Sequence, residues 1–287
     1  MRPAMEEQLL LEQLTKAADY ALLNRVAYGK GYKPGETPDY PTMKYAKVPE
    51  DLIPEVRDNY IVIAQLESSS GVAATVFERI QGGERSLVIR GMSPTELPDL
   101  VAGAQIAVGM PPSVNHQINT LVRQTQQWMN EGVLPQRFEV SGYSLGGYGA
   151  IALKQQLPDN IIHVYSFLEP GVGGIGGELV EWLGGNVVAV PDVTVFTTSQ
   201  RLFSFIDGLG FSQGETVIRV PTDNDYLHDI ENLGAGIRRE IENIKEQGLD
   251  NSGIEVQQNR TTPYTSAELE QYSAARTASV EAYGSLN

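Results

Sequence analysis

The chain has 287 residues, of which 41% are hydrophobic, and its formal charge at pH 7 is −15. This length suits one α/β domain with elaborations, and the acidic balance argues against nucleic acid as a partner. The absence of cysteine excludes disulfides, thiol nucleophiles and cysteine-based metal sites. The acidic, amphipathic N-terminus is unlike a secretory signal and no apolar run has the length of a membrane span. We therefore expect a soluble protein, either cytoplasmic or exported without a cleaved N-terminal signal.

The first half of the chain predicts a helix, a hairpin and a second helix. Leucines and alanines recur at helical spacing over residues 6–29, and a loop containing Gly and Pro follows. Residues 60–68, 72–80 and 86–90 predict strands, with a hairpin turn at Gly82-Gly83-Glu84 between the last two. Residues 113–131 then predict an amphipathic helix.

The second half alternates strands with helices. Strands are predicted at 137–141, 161–168, 187–199 and 215–221, and helices at 148–156 and 232–247. This order predicts a mostly parallel central sheet covered by helices on both faces, preceded by the N-terminal helix and the antiparallel hairpin. We expect a single domain over 1–287, with an N-terminal extension (1–58), a core (59–250) and a polar C-terminal segment (251–287) that ends in a helix at 266–283.

One motif in the core carries chemistry, the run Gly142-x-Ser144-x-Gly146-Gly147. A predicted strand enters it and a predicted helix leaves it, which is the context of a nucleophile elbow. Glycines two residues before and after the serine let neighbouring backbone approach without a Cβ clash. Ser144 is therefore the predicted nucleophile; the alternative is a chance Gly/Ser turn in a chain with 29 glycines.

A serine nucleophile needs a base, and the chain has three histidines. His228 follows the last predicted core strand, where the chain order of an α/β-hydrolase places the catalytic histidine, so His228 is the predicted base. His163 lies within an apolar strand, where a hydrogen-bonded core or edge residue is favoured over a catalytic one. His116 lies in the first turn of the helix before the elbow strand; it could reach the mouth of the site, but a solvated or capping residue is favoured.

At this point the chain resembles an α/β-hydrolase of the class 3 lipase type, including its bacterial lipase and phospholipase relatives. The resemblance runs from about residue 21 to residue 229. The pieces that carry it, in order, are Ala27-Tyr28-Gly29, Thr75-Val-Phe, Val88-Ile-Arg90-Gly91, Asp99-Leu100, Trp128, the elbow, the run Ser166-Phe-Leu-Glu-Pro-Gly-Val-Gly and His228. It implies the α/β-hydrolase fold and an oxyanion hole formed by the backbone N–H groups of Leu145 and Met92.

Two features depart from the family pattern. Met92 stands where the family has Thr or Ser, so a supporting hydroxyl is lost unless Ser93 substitutes for it. The family's acid would fall near Arg201, where this chain has no carboxylate. Asp207 follows six residues later and is the favoured acid, with Glu169 and Asp192 as alternatives and a Ser–His dyad as a further one.

Residues 171–185 form a glycine-rich segment. Seven of its residues are glycines, and between them lie the apolar residues Ile175, Leu179, Val180, Trp182 and Leu183. It is predicted to be a mobile lid over an apolar acyl pocket, the alternative being an ordinary surface loop. No cofactor is expected. Calcium is suggested by the acidic cluster of Asp223, Asn224, Asp225 and Asp229, but their spacing matches no known calcium loop, and an Asx-rich turn is favoured.

These observations predict a serine hydrolase that cleaves carboxylic esters, of lipids in particular (lipase or phospholipase type), through Ser144, His228, Asp207 and an acyl-enzyme. The expected partner is a small-molecule or lipid ester, with a lipid interface as a second partner. Two other interpretations stay open: a non-catalytic binding or structural protein of the same fold, and a peptidase, acyltransferase or thioesterase on the same elbow.

Overall fold

The computed structural model describes residues 2–68, 71–91, 116–169, 189–198, 214–223 and 229–262. The N-terminal part forms three helices, α1 (Arg2–Val26), α2 (Tyr40–Tyr45) and α3 (Ile53–Asn59). The sequence predicted α1 but not the two short helices. Both of these have proline in the first turn, and Asp39 caps α2 by accepting a hydrogen bond from the Thr42 N–H at 3.0 Å.

Eight described strands form one sheet, in which each strand pairs with its neighbours in chain order. They are β1 (Tyr60–Glu67), β2 (Ala73–Arg79), β3 (Arg85–Ile89), β4 (Phe138–Tyr143), β5 (Ile161–Phe167), β6 (Val190–Thr198), β7 (Gly214–Val220) and β8 (Glu255–Gln258). Strands β1 to β3 pair antiparallel, strands β3 to β7 run parallel, and β8 pairs antiparallel with β7. The hairpin and the parallel strands were predicted; the residues of β8 lie in the C-terminal segment that was predicted only to be polar.

Three further helices connect or flank the strands: α4 (His116–Asn130), α5 (Leu145–Gln156) and α6 (Ile230–Gln247). Helices α4 and α5 lie in the crossovers on either side of β4. Helix α5 begins three residues earlier than its predicted start at residue 148, directly after Ser144. A short 3₁₀ turn (Leu249–Asn251) leads from α6 towards β8.

The sheet separates two hydrophobic cores because successive side chains of a strand point to opposite faces. On β6, for example, Val195 packs into the core under α4 and α5, whereas Phe196 packs into the core under α1 and α6. The same alternation separates Val217 from Ile218 on β7. Helices therefore cover both faces of a mostly parallel sheet that begins with an antiparallel hairpin, which confirms the predicted α/β architecture and is consistent with an α/β-hydrolase fold.

Among the described residues, no helix combines the length and the apolar character needed to cross a membrane. The predicted lid (171–185) and the predicted helix at 266–283 lie outside the described residues, so both stay predictions. The boundaries of the predicted domain segments are likewise a prediction.

Candidate active site

Ser144 occupies a strained turn between β4 and α5. Its φ of 56° and ψ of −126° lie where a residue with a side chain is rarely found. Backbone hydrogen bonds hold the turn: the Ser144 N–H donates to the Phe167 carbonyl at 2.8 Å, and the Gly147 N–H donates to the Ser144 carbonyl at 2.9 Å. The turn thus places Ser144 at the carboxyl edge of the sheet, beside the ends of β4 and β5.

The glycines of the motif are required by close backbone contacts. A Cβ on Gly142 would lie 2.1 Å from the carbonyl oxygen of Gly146, and a Cβ on Gly146 would lie 2.3 Å from that of Ile89. Both distances are far below a van der Waals contact, and main-chain atoms cannot rotate away as a side chain can. The sequence prediction of an elbow at this motif therefore has a steric basis in the fold.

The end of β3 lies against the elbow. A Cβ on Gly91 would be 2.4 Å from the Tyr143 carbonyl oxygen and 3.2 Å from the Ser144 Cβ. The same Cβ would be 2.9 Å from the Tyr28 hydroxyl, and the Tyr28 ring packs edge-on against that of Tyr143 at 6.4 Å between centroids. The turn after α1, the end of β3 and the elbow therefore meet at one point.

Helix α5 begins at this point. Leu145 is the first residue of α5, and the first N–H groups of a helix have no acceptor within the helix. Together with the helix dipole they form an environment that favours a negative charge beside Ser144. Met92, the other predicted oxyanion donor, lies outside the described residues, although Gly91 before it is positioned against the elbow.

Glu169 lies beside the first turn of α5. It follows β5, is buried (7% exposed), and its Cβ would lie 3.0 Å from a Cβ on Gly147. Burial and the Glu169 carboxylate together raise the pKa of Tyr148 to about 12. Glu169, named from the sequence as an alternative acid, is therefore close to the elbow.

Asp192 lies at the opposite edge of the sheet. It sits near the start of β6, four residues before Phe196, whose carbonyl accepts the Leu168 N–H at the carboxyl edge. Four strand residues span roughly 13 Å. Asp192 instead pairs with Lys154 at 3.0 Å. The alternative that made Asp192 the acid therefore does not fit the fold, because this carboxylate cannot reach a histidine beside Ser144.

The two described histidines lie in the environments predicted from the sequence. His163 lies on β5 with Nε2 3.0 Å from Thr194 Oγ1, and its ring packs against Tyr165 at 4.7 Å. Burial lowers its pKa against the opposing effect of the nearby carboxylates of Glu139 and Asp192. His116 is exposed at the first residue of α4.

His228 and Asp207, the predicted base and acid, lie outside the described residues, so their geometry relative to Ser144 stays a prediction. Of the acidic cluster considered for calcium, Asp229 caps α6 by accepting from the Glu231 N–H at 3.1 Å, and Asp223 pairs with Arg239 at 2.5 Å. Within the described ranges no group of three or more metal-ligating side chains occurs. Asn224 and Asp225 of the same cluster lie outside the described residues, so the Asx-rich turn stays a prediction.

Sequence reasoning missed an ion pair beside the elbow, between Arg90 at the end of β3 and Glu67 at the end of β1. The two residues are 23 positions apart in the chain, and no local pattern links them. In the sequence, Arg90 belongs to the Arg-Gly pair of the family resemblance. In the fold, β2 pairs antiparallel with both β1 and β3, so that Glu67 at the end of β1 lies at the same edge of the sheet as Arg90.

No family model matches the chain, and no curated protein matches it. Similar solved structures include the Lip2 lipase from Yarrowia lipolytica, with 17% identity over 77% of this chain and 82% of that chain, at a TM-score of 0.44. A triacylglycerol lipase from Penicillium expansum is 13% identical over 74% of this chain and 80% of that chain, at a TM-score of 0.39. Both are lipases, the type that the motifs resemble. At identities and TM-scores this low, the likeness carries no residue role over to this chain.

Proposed function

We propose that this protein is a serine hydrolase of carboxylic esters with Ser144 as the nucleophile. The observation that carries the proposal is the positive φ of Ser144 in a turn enforced by main-chain contacts at Gly142 and Gly146. Backbone strain of this kind costs about 1–3 kcal/mol and persists where the surroundings over-determine it, commonly at active sites. A serine that needed no special orientation would not require that cost.

The proposed reaction is acyl transfer in two steps. His228 takes the proton from Ser144 Oγ while the oxygen attacks the ester carbonyl, and the same proton then passes to the departing alcohol. The N–H groups of Leu145 and Met92 bind the oxyanion of the tetrahedral intermediate. Water, deprotonated by His228, then cleaves the acyl-enzyme and returns the serine. Asp207 is proposed to orient His228, and Glu169 is its rival.

Lipid esters are the proposed substrate class. Support comes from the predicted lid, in which a stretch between glycine pairs is predicted to form a short helix with four apolar side chains: Leu179, Val180, Trp182 and Leu183. A helix this short is not stable alone and must bury its apolar face, either over an acyl pocket or at a lipid interface. We therefore expect hydrolysis of long-chain esters to rise when the substrate passes from monomers to micelles.

A fluorophosphonate probe tests the nucleophile directly, because it reacts with an activated serine. The wild type should be labelled at Ser144 and should hydrolyse p-nitrophenyl esters, and Ser144→Ala should lose both properties while its melting temperature stays nearly unchanged. Ser166→Ala is the matched control: Ser166 is a buried serine on the neighbouring β5, and its hydroxyl has no hydrogen-bond partner among the described residues.

Retention of turnover by Ser144→Ala would reject the assignment of the nucleophile. A wild-type protein that neither labels nor hydrolyses any ester of the panel would instead favour the non-catalytic interpretation, for which Met92 and the displaced acid are the sequence arguments. A panel of rising acyl-chain length that includes phospholipids, measured with and without calcium, then distinguishes lipid from short soluble esters.

A further inference from the structure

A cavity of about 490 Å³ lies at the amino ends of the parallel strands, between α1, the hairpin turn and the starts of β3 and β4. Phe138, which lines this cavity, is six residues before Ser144 along β4, and six strand residues span about 20 Å. The cavity is therefore separate from the candidate active site. Its volume falls in the range of about 300–1,000 Å³ that is usual for small-molecule sites.

The lining of the cavity is more cationic than the chain as a whole, whose formal charge is −15. Four cations and three carboxylates line it: Lys16, Arg79, Arg85, Arg137, Asp19, Glu84 and Glu139. Two of these carboxylates already have donors. Asp19 accepts from Arg79, and Glu139 accepts from Lys16 Nζ at 2.6 Å and from the Tyr20 hydroxyl at 2.8 Å. A ligand that enters the cavity therefore meets donors more often than free acceptors.

Arg137 is the donor that these contacts leave over. Arg85, by contrast, donates to the Glu78 carboxylate at 2.6 Å and to the carbonyls of Gly132 and Val133 at 2.8 and 3.0 Å. Within the described part of the chain, the exposed Arg137 side chain makes no hydrogen bond and no ion pair. Its planar fork of N–H groups matches the two oxygens of a carboxylate.

An exposed apolar side chain lies near Arg137. Ile162 lines the cavity and is 44% exposed, and the residue before it, Ile161, pairs in register with Phe138, the residue after Arg137. Two tyrosines, Tyr20 and Tyr60, line the same cavity. A guanidinium beside apolar and aromatic side chains complements a molecule that has both an anionic and an apolar end.

We propose that this cavity is a second ligand site, which binds a small amphiphilic carboxylate. The Arg137 guanidinium pairs with the carboxylate, and Ile162 and the tyrosines contact the apolar part of the ligand. Glu84, in the hairpin turn, repels the same carboxylate and so limits the affinity. The proposal is independent of the proposed function, because binding at the amino ends of the strands requires neither Ser144 nor a base.

An NMR titration of the full chain with 4-phenylbutyrate tests the proposal. We expect the amide signals of Gly83 and Ser86 to shift saturably, with a Kd of about 0.1–1 mM for a ligand of this size. The signals of Gly146 and Gly147, at the elbow, should stay in place. 4-Phenylbutanamide has the same shape without the charge and should bind about tenfold more weakly.

Substitutions then test each contact. Arg137→Gln should weaken the binding of 4-phenylbutyrate about tenfold, and Ile162→Thr about threefold. Glu84→Gln should strengthen it about twofold, because a like charge is removed. Arg123→Gln is the matched control: it removes the same charge from an exposed side chain on α4, across the sheet, and should leave the Kd nearly unchanged. Ser144→Ala should bind as the wild type does.

Three results would overturn the proposal. The first is the absence of a saturable shift at Gly83 and Ser86. The second is an equal loss of affinity in Arg137→Gln and Arg123→Gln, which would make the effect one of net charge. The third is tighter binding of 4-phenylbutylamine than of 4-phenylbutyrate, weakened by Glu84→Gln, which would identify a site for cations.

Discussion

Replacing Gly146 with alanine should lower the free energy of unfolding, whereas replacing Gly149 with alanine should not, although both glycines lie on α5 and face β3. A Cβ at Gly146 would be 2.3 Å from the Ile89 carbonyl oxygen, a main-chain atom of a paired strand. A Cβ at Gly149 would meet only the side-chain methyls of Ile89 at 3.7 Å and Leu121 at 3.8 Å, which are ordinary contacts. The two substitutions are chemically identical, so their difference reports mainly the packing around each glycine, with a smaller part from helix propensity.

The expected magnitudes follow from these contacts. At Gly149 alanine gains about 1 kcal/mol of helix propensity and buries a methyl group worth up to about 0.8 kcal/mol. At Gly146 the gain in propensity is smaller, and overpacking against backbone costs about 3 kcal/mol, the upper end of the usual range. We expect Gly149→Ala to stabilise the protein by about 1–2 kcal/mol and Gly146→Ala to destabilise it by about 2 kcal/mol. A gap of about 3–4 kcal/mol corresponds to roughly 6–16 °C in melting temperature.

Urea unfolding of the wild type and both variants, followed by circular dichroism, gives the two free-energy differences directly. The measurement needs no substrate, so it tests the packing of the elbow on β3 whatever the protein catalyses. Equal stabilities of the two variants, or a more stable Gly146→Ala, would refute the close approach of α5 to the end of β3.

Two further predictions concern titration and the acid. Burial lowers the pKa of His163 below its unfolded value of about 6.5, so the unfolded state takes up a proton first as the pH falls, and stability present above pH 6.5 is lost below it. His163→Gln should therefore show a weaker fall in melting temperature between pH 7 and pH 5 than the wild type, and parallel curves would contradict this. Asp207→Asn should lower kcat by about 10³- to 10⁴-fold if Asp207 orients His228, while Glu169→Gln should be mild. The reverse pattern, measured on the same ester, would assign the acid to Glu169.

Local signals explain how much of the fold could be predicted. Short-range patterns of neighbouring residues specify α1, the turn at Gly82-Gly83 and the strand before the elbow. Each of these elements lies close to its predicted place. The β8 strand escaped prediction because all four of its residues are exposed, so it shows no alternating apolar pattern. Its place is set by backbone pairing with β7, which depends on residues 40 or so positions away.

For the site, the sequence alone determined the elbow, because the spacing of Gly142, Ser144 and Gly146 carries the steric requirement of the turn within the motif itself. Tertiary structure decided which other groups lie near it. The parallel order of β4, β5 and β6 brought Glu169 to the edge that holds Ser144 and left Asp192 at the opposite edge. Pairing of distant strands likewise joined Arg90 to Glu67. A sequence motif reflects contacts between residues that are close in the chain. Contacts across the sheet join residues that are far apart in the chain, and they form only when distant segments pack together.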